Sequence, residues 1–267
     1  VGKVAITSIA RELVSELRYL NASGNGKSEV VRLPIAQGTL APSTTIADEL
    51  DAIIACSDLQ GVVPNPMTRL SEPLGVALAE HLEELAISGA IPPAARTGVI
   101  LAGDLYSDPA AKKRGGFGDV AKVWEAFADR FAWVAGVAGN HDDVTAISPL
   151  LRLHVLDGSI VELDGIRIGG VGGIIGAKGK KMRRPAEEFL ALVDRVIDQR
   201  PDVLVLHEGP HGDEEQHGNE DVRATVEAGA VSFTVCGHCH WDAPLASHEA
   251  GQILNVDARC VVLRISR

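Results

Sequence analysis

Aromatic residues are scarce in this chain. Phe, Trp and Tyr together make up 4% of its 267 residues, so a core must be assembled from Val, Ile, Leu and Ala. Positive charge is also under-represented. Lys and Arg number 25 against 36 Asp and Glu, a formal net charge of −11, which disfavours loose adhesion to nucleic acid or to an anionic membrane. No apolar run approaches the roughly 20 residues of a membrane-spanning helix. Charged Arg11 and Glu12 arrive too early for a secretory apolar segment, so the expected location is cytoplasmic. Cysteines are few: Cys56, Cys236, Cys239 and Cys260. The Cys236–Cys239 spacing has no second CxxC to pair with, which argues against a zinc knuckle, and a chain of this size without a signal peptide argues against a disulfide framework.

With 46% hydrophobic and 23% charged residues, the composition suits one large globular α/β domain. The basic residues are unevenly spread. Lys112, Lys113 and Arg114 form one cluster, and Lys178, Lys180, Lys181, Arg183 and Arg184 another, both in glycine-containing loops. Any affinity for anions is therefore expected to be local.

The N-terminal residues read as a helix over Ile9 to Leu20, from apolar Leu13, Val14, Leu17 and Leu20. A turn follows, and then a strand over Glu29 to Ile35, expected at a sheet edge because of Pro34. Gly26-Lys27-Ser28 looks like the tail of a phosphate-binding loop. The match fails: the earlier glycine position is Asn21, and a helix rather than a strand is expected before it. Residues 1–50 are thus set apart as a helix-turn-strand extension. It could pack on a sheet edge, mediate dimerisation or cover the site.

Beyond Asp51 a rhythm appears. Apolar strands are expected at Ala52–Ser57, Thr97–Ala102, Trp133–Ala138, Val203–Leu206 and Val231–Cys236, with helices at Leu74–Ile87, Val120–Phe131 and Pro185–Asp198. Each strand runs into a polar residue able to bind a metal: Asp58, Asp104, Asn140, His207 and His238. In sheets covered on both faces, ligands collect beyond the carboxyl ends of the strands. Val155–Leu163 with Ile166–Ile168, and Ile253–Val256 with Cys260–Ile265, fall outside this rhythm and suggest a second sheet. Within Gly139-Asn140-His141-Asp142, Asn140 offers a neutral oxygen ligand, His141 can hold a proton near neutral pH, and Asp142 could orient the imidazole.

Collected in order, Asp58-Leu59-Gln60, Gly103-Asp104, Gly139-Asn140-His141-Asp142, His207 and Gly237-His238-Cys239-His240 resemble the motif series D-x-H, G-D, G-N-H-[DE], H, G-H-x-H of the calcineurin-like metallophosphoesterases. The resemblance runs from about residue 51 to 267. It implies an α/β four-layer sandwich of two mixed sheets flanked by helices, and two divalent cations, most simply Mn, with Fe or Zn as alternatives. By resemblance, Asp58, Gln60, Asp104 and His240 surround one cation and Asp104, Asn140, His207 and His238 the other, Asp104 bridging. His141 becomes the general acid, held in its tautomer by Asp142. Gln60 departs from the motif: its amide oxygen is harder and less basic than an imidazole nitrogen. His211, Lys112, Lys113 and Arg114 are the candidate substrate contacts. The implied activity is hydrolysis of a phosphoester, with a nucleotide or nucleic-acid phosphodiester favoured by the basic loops. A nuclease or end-processing phosphatase and a catalytically silent scaffold are the rival readings.

Overall fold

The computed structural model describes residues 4–24, 26–43, 46–64, 70–113 and 115–267. In chain order, β1 (Ile6–Ile9), β2 (Ser15–Gly24), β3 (Lys27–Leu40), β4 (Ala52–Ser57), β5 (Val62–Pro64) and β6 (Ser71–Pro73) lead into α1 (Leu74–Ile87). Next come β7 (Thr97–Leu101), β8 (Gly118–Asp119), α2 (Ala121–Ala128), β9 (Trp133–Gly136), β10 (Asp142–Asp143) and β11 (Leu153–Val155). The remainder holds β12 (Ser159–Leu163), β13 (Ile166–Val171), β14 (Ile174–Ile175), β15 (Arg183–Arg184) and α3 (Ala186–Ile197). It closes with β16 (Val203–Glu208), α4 (Glu220–Ala228), β17 (Phe233–Gly237), β18 (Leu245–His248), β19 (Gly251–Asn255) and β20 (Arg259–Ile265).

Two mixed sheets face one another. One has ten strands in the order β11-β9-β7-β4-β20-β3-β2-β5-β6, with β1 paired to β3; the other has six, in the order β12-β13-β16-β17-β19-β18. Period-two alternation decides which residue goes where. On β4, Ala52, Ile54 and Cys56 turn toward α1 and α2, whereas Ile53 and Ala55 turn toward the second sheet. Leu204 and Leu206 of β16 meet α3 and α4, while Val203 and Val205 enter the core between the sheets.

The helices are amphipathic in step with those cores. Leu74, Leu78 and Leu82 recur every four residues on α1 and pack with Val123 and Phe127 of α2. Burial of each large side chain here contributes about 1.5–3 kcal/mol. Helix α4 lacks a long apolar stripe. Only Val222 and Val226 are buried, and Asn219 caps its N-terminus by accepting the Val222 N–H at 3.0 Å. No described helix is long and apolar enough to cross a membrane.

Several expectations need correction. In place of a helix over Ile9 to Leu20 stand the end of β1 at Ile9, a connection and then β2 from Ser15, in which Leu17 and Tyr19 turn inward while Glu16 and Arg18 stay exposed. The alternation of period two outweighs an accidental helical spacing. Strand β3 is not an edge; it lies between β2 and β20. Its Pro34 falls one residue before the parallel ladder to β20 begins at Ile35, where a missing N–H costs little. Val155, expected to begin a strand of the second sheet, instead ends β11 of the first, and Cys260–Ile265, also expected in the second sheet, belongs to the first. The chain therefore changes sheets twice, at Leu156–Gly158 and at Val256–Ala258.

Candidate metal centre

The five ligand-bearing strands end on one side of the molecule. Strands β4, β7 and β9 run parallel in the first sheet, and β16 and β17 run parallel in the second. Asp58, Asp104 and His238 each sit just beyond a strand in the left-handed region, at φ of 54°, 54° and 70°. L-residues seldom hold that conformation, and its recurrence at three strand ends is a mark of a functional site. Gly139 is required by close approach: a Cβ there would lie 2.0 Å from Asp104 Oδ1.

Asp104, His207 and His238 bring ligand atoms within 4.8 Å of one another. The donor set fits a cation for a specific reason. His207 is fully buried, and its Nδ1 faces the Ala102 carbonyl at 2.8 Å, so Nδ1 must carry the hydrogen. Its Nε2 then lies 3.3 Å from both Asn140 Oδ1 and Asp104 Oδ1. Three electron-rich atoms face each other, and only a proton or a metal ion reconciles them. Without metal, burial pulls the His207 pKa down, but the adjacent Asp104 carboxylate overrides it and raises it to about 10. Burial also pushes the Asp104 carboxyl upward, yet the His207 charge holds it below the usual carboxylate range. His238 is lowered to about 4 by burial, then by the His207 charge, and so keeps its lone pair at neutral pH. Asp58 is pushed well up by burial and by the nearby Asp257 and Asp104 charges. Its Oδ2 accepts from Ser57 Oγ at 2.5 Å and from the His238 N–H at 3.0 Å.

The residues expected around the other cation are arranged differently. Gln60 donates from Nε2 to Asp104 Oδ2 at 3.1 Å. His240 is exposed, with Nδ1 at 3.2 Å from Asp257 Oδ1 and Nε2 at 3.4 Å from the Arg259 guanidinium. It stands outside the Asp104–His207–His238 group.

His141 is half-buried, its Nε2 3.8 Å from Asp104 Oδ2. Asp142 does not sit behind the His141 ring. Its Oδ1 accepts from the Leu105 and Tyr106 amides at 2.8 and 3.0 Å, and Oδ2 accepts from the Gly139 amide at 2.8 Å. It ties the loop after β7 to the turn after β9. Burial and the Asp104 charge raise its pKa to about 6. The His141 ring is held by the Gly116 carbonyl, 2.5 Å from Nδ1, in a loop that β8 and β10 pin beside Asp142. Sequence reasoning misses that carbonyl, since a backbone oxygen leaves no residue signature.

A cleft of ≈ 350 Å³ opens over the centre, lined by Asp58, Gln60, Asp104, His141 and His238 and by Tyr19, Asn21, Asp257 and Ala258. The last four belong to none of the motifs and are missed by sequence reasoning. Lys113 borders an adjoining cavity of ≈ 320 Å³, which shares Asn21 and Gln60 with the cleft. Lys112 and Lys113 are exposed, and their amides donate to Asp108. Arg114 lies outside the described residues. His211 does not line the cleft; its loop is held to Asn219 and Arg223, and its ring lies near that of His217.

Facing sheets whose parallel strands deliver carboxylate, amide and imidazole groups to one edge define a metal-binding α/β sandwich. Residues 52–242 match the model of the calcineurin-like phosphoesterases, and the chain belongs to that family. Membership implies metal-dependent hydrolysis of a phosphoester, typically with two metal ions. No curated protein matches the chain. Among solved structures, the protein TT1561 of Thermus thermophilus is similar at 12% identity and a TM-score of 0.50, covering 77% of this chain and 88% of that one. A 5'-nucleotidase precursor from the same organism aligns at 15% identity and a TM-score of 0.40, over 77% of this chain and 48% of that one. The protein AQ665 from Aquifex aeolicus, of unknown function, aligns at 14% identity and a TM-score of 0.36, over 79% of this chain and 95% of that one. The first likeness supports the fold.

Proposed function

We propose that the chain hydrolyses a phosphodiester of a nucleotide or nucleic acid, in a site that holds two divalent cations, most simply Mn, with His141 as general acid. The convergence of Asp104, His207 and His238, with Asn140 beside them, carries this reading. Divalent cations bound there would supply Lewis acidity and a water acidic enough to attack phosphorus at neutral pH. Asp104 is suited to bridge because its two oxygens face different partners, His207 on one side and Gln60 on the other. His207 and His238 add neutral nitrogen ligands that leave the cationic field intact. The Gly116 carbonyl engages Nδ1 of His141, which leaves Nε2, 3.8 Å from Asp104 Oδ2, as the nitrogen that would carry the proton to the leaving oxygen when the ring is an imidazolium.

Cationic groups near the cleft suit a substrate with a further anionic arm, as a polynucleotide diester has. Lys113 borders the adjoining cavity, and Lys181 stacks over the Phe117 ring at 3.9 Å, next to the loop that holds His141. A second ester arm could extend toward them. Mn-loaded protein should turn over bis-p-nitrophenyl phosphate faster than p-nitrophenyl phosphate. Changing Lys112 and Lys113 to Ala should weaken cleavage of a polynucleotide far more than cleavage of either aryl ester. Metal-replete protein inert toward both esters would leave the silent scaffold as the better reading.

A further inference from the structure

The match to the family starts at residue 52, yet β2 supplies part of the cleft wall. Tyr19 and Asn21 are two residues apart on that strand, hence on one face, and both line the cleft over the metal centre. The Tyr19 ring is 4% exposed and packs into the core beneath α1 and α2. Its place depends on Gly61, the neighbour of Gln60: a Cβ at Gly61 would lie 2.3 Å from Tyr19 Cδ2. Pairing of Leu20 with Val62 keeps the two strands in that register. Asn21 Oδ1 is engaged by the Ala22 amide at 2.8 Å, which fixes the Asn21 side chain on the cleft wall beside Tyr19. Tyr19 itself lines the cleft, which places a phenolic donor on the wall over the metal centre. Burial, followed by the nearby Asp257 charge, raises the Tyr19 pKa, so the group stays a donor at neutral pH.

A phosphoester brings acceptor oxygens only. Asp58, Asp104 and Asp257 offer it no donor when ionised, and the Gln60 amide is directed at Asp104. We propose that the N-terminal hairpin completes the active site: Tyr19, placed by its packing on Gly61, donates its phenolic O–H to a non-bridging oxygen of the bound phosphoester. This rests on the phosphoester-hydrolase reading above.

Tyr19→Phe removes the hydroxyl and keeps the ring against Gly61. With the Mn-loaded full chain and inorganic phosphate as probe, calorimetry should show Tyr19→Phe binding phosphate about ten- to a hundredfold more weakly than wild type, as expected for loss of one hydrogen bond to a charged group. Metal content and thermal midpoint should be unchanged, and kcat/KM should fall by a similar factor. Phosphate affinity equal to wild type would overturn the assignment while leaving the hydrolase reading intact. A loss of bound metal or of thermal stability in Tyr19→Phe would also overturn it, because the hydroxyl would then be structural. Wild type that neither binds phosphate nor turns over either aryl ester would end both readings together.

Discussion

On one side of Asp104, the His207, Asn140 and His238 side chains meet across buried strand ends; on the other, Gln60 and His240 are already engaged by protein partners. In the first group the buried imidazole of His207 is held from behind. His207 is anchored by the Ala102 carbonyl, and the neighbouring strands lie in parallel ladders. The second group takes part in hydrogen bonds that substitute for a cation: Gln60 with Asp104, and His240 with Asp257 and Arg259. A buried cluster of like charges stays assembled only where each charge finds a partner. On the proposed two-cation reading, the first half would make the stronger cation site, and the second would have to break internal contacts to bind one.

That contrast can be tested, beginning with the largest effect. His207→Ala should abolish tight metal binding and lower turnover by more than the roughly 10–100-fold that loss of a merely orienting residue costs; elemental analysis and kinetics report the two. His141→Ala should lower turnover by about 10²–10⁴-fold while metal content stays at the wild-type level. Loss of metal in that variant would give His141 a ligand's role. Gln60→His should tighten the weaker site by about tenfold, within the range by which a single change at a metal site alters affinity, and it should leave the first site unaltered in a competitive chelator titration.

The smallest effect is a pH linkage. In the metal-free protein the His207 pKa is raised from 6.5 to about 10. Its stabilising contribution is then complete below about 6.5 and is lost as pH rises through about 10. Chelated protein should accordingly lose stability across that window in denaturant titrations. Metal binding between those limits should release a proton from His207, visible as buffer-dependent heat in calorimetry, and affinity should rise with pH. No buffer dependence at about pH 8 would contradict the protonated His207–Asp104 pair.

The readily legible parts of the chain are those where local pattern and tertiary demand agree. Helix α1 and strand β4 are expected at their observed bounds, because each has a long unambiguous apolar pattern and a clear terminator. The Asp104–His207–His238 group is legible for the same reason: apolar strands each end in a ligand-type residue. Residues 9–20 mislead because four leucine and valine positions fit a helical wheel, whereas Tyr19 is placed by its contact with the distant Gly61. The share of Asp257 in the cleft is hidden in the same way. It lies where the chain crosses between sheets, and β19 and β20 read as partners in one sheet.

The sequence by itself determined the strand ends, the order of ligand types and the alternation that sorts each side chain to one face, because these depend on near neighbours along the chain. Which groups point at one another was decided only by tertiary structure. The engagement of His240 by Asp257, the support of His141 by a backbone carbonyl and the arrival of Tyr19 at the cleft all depend on packing between distant strands. Such contacts are set by which faces bury together, and no local pattern of residues encodes them.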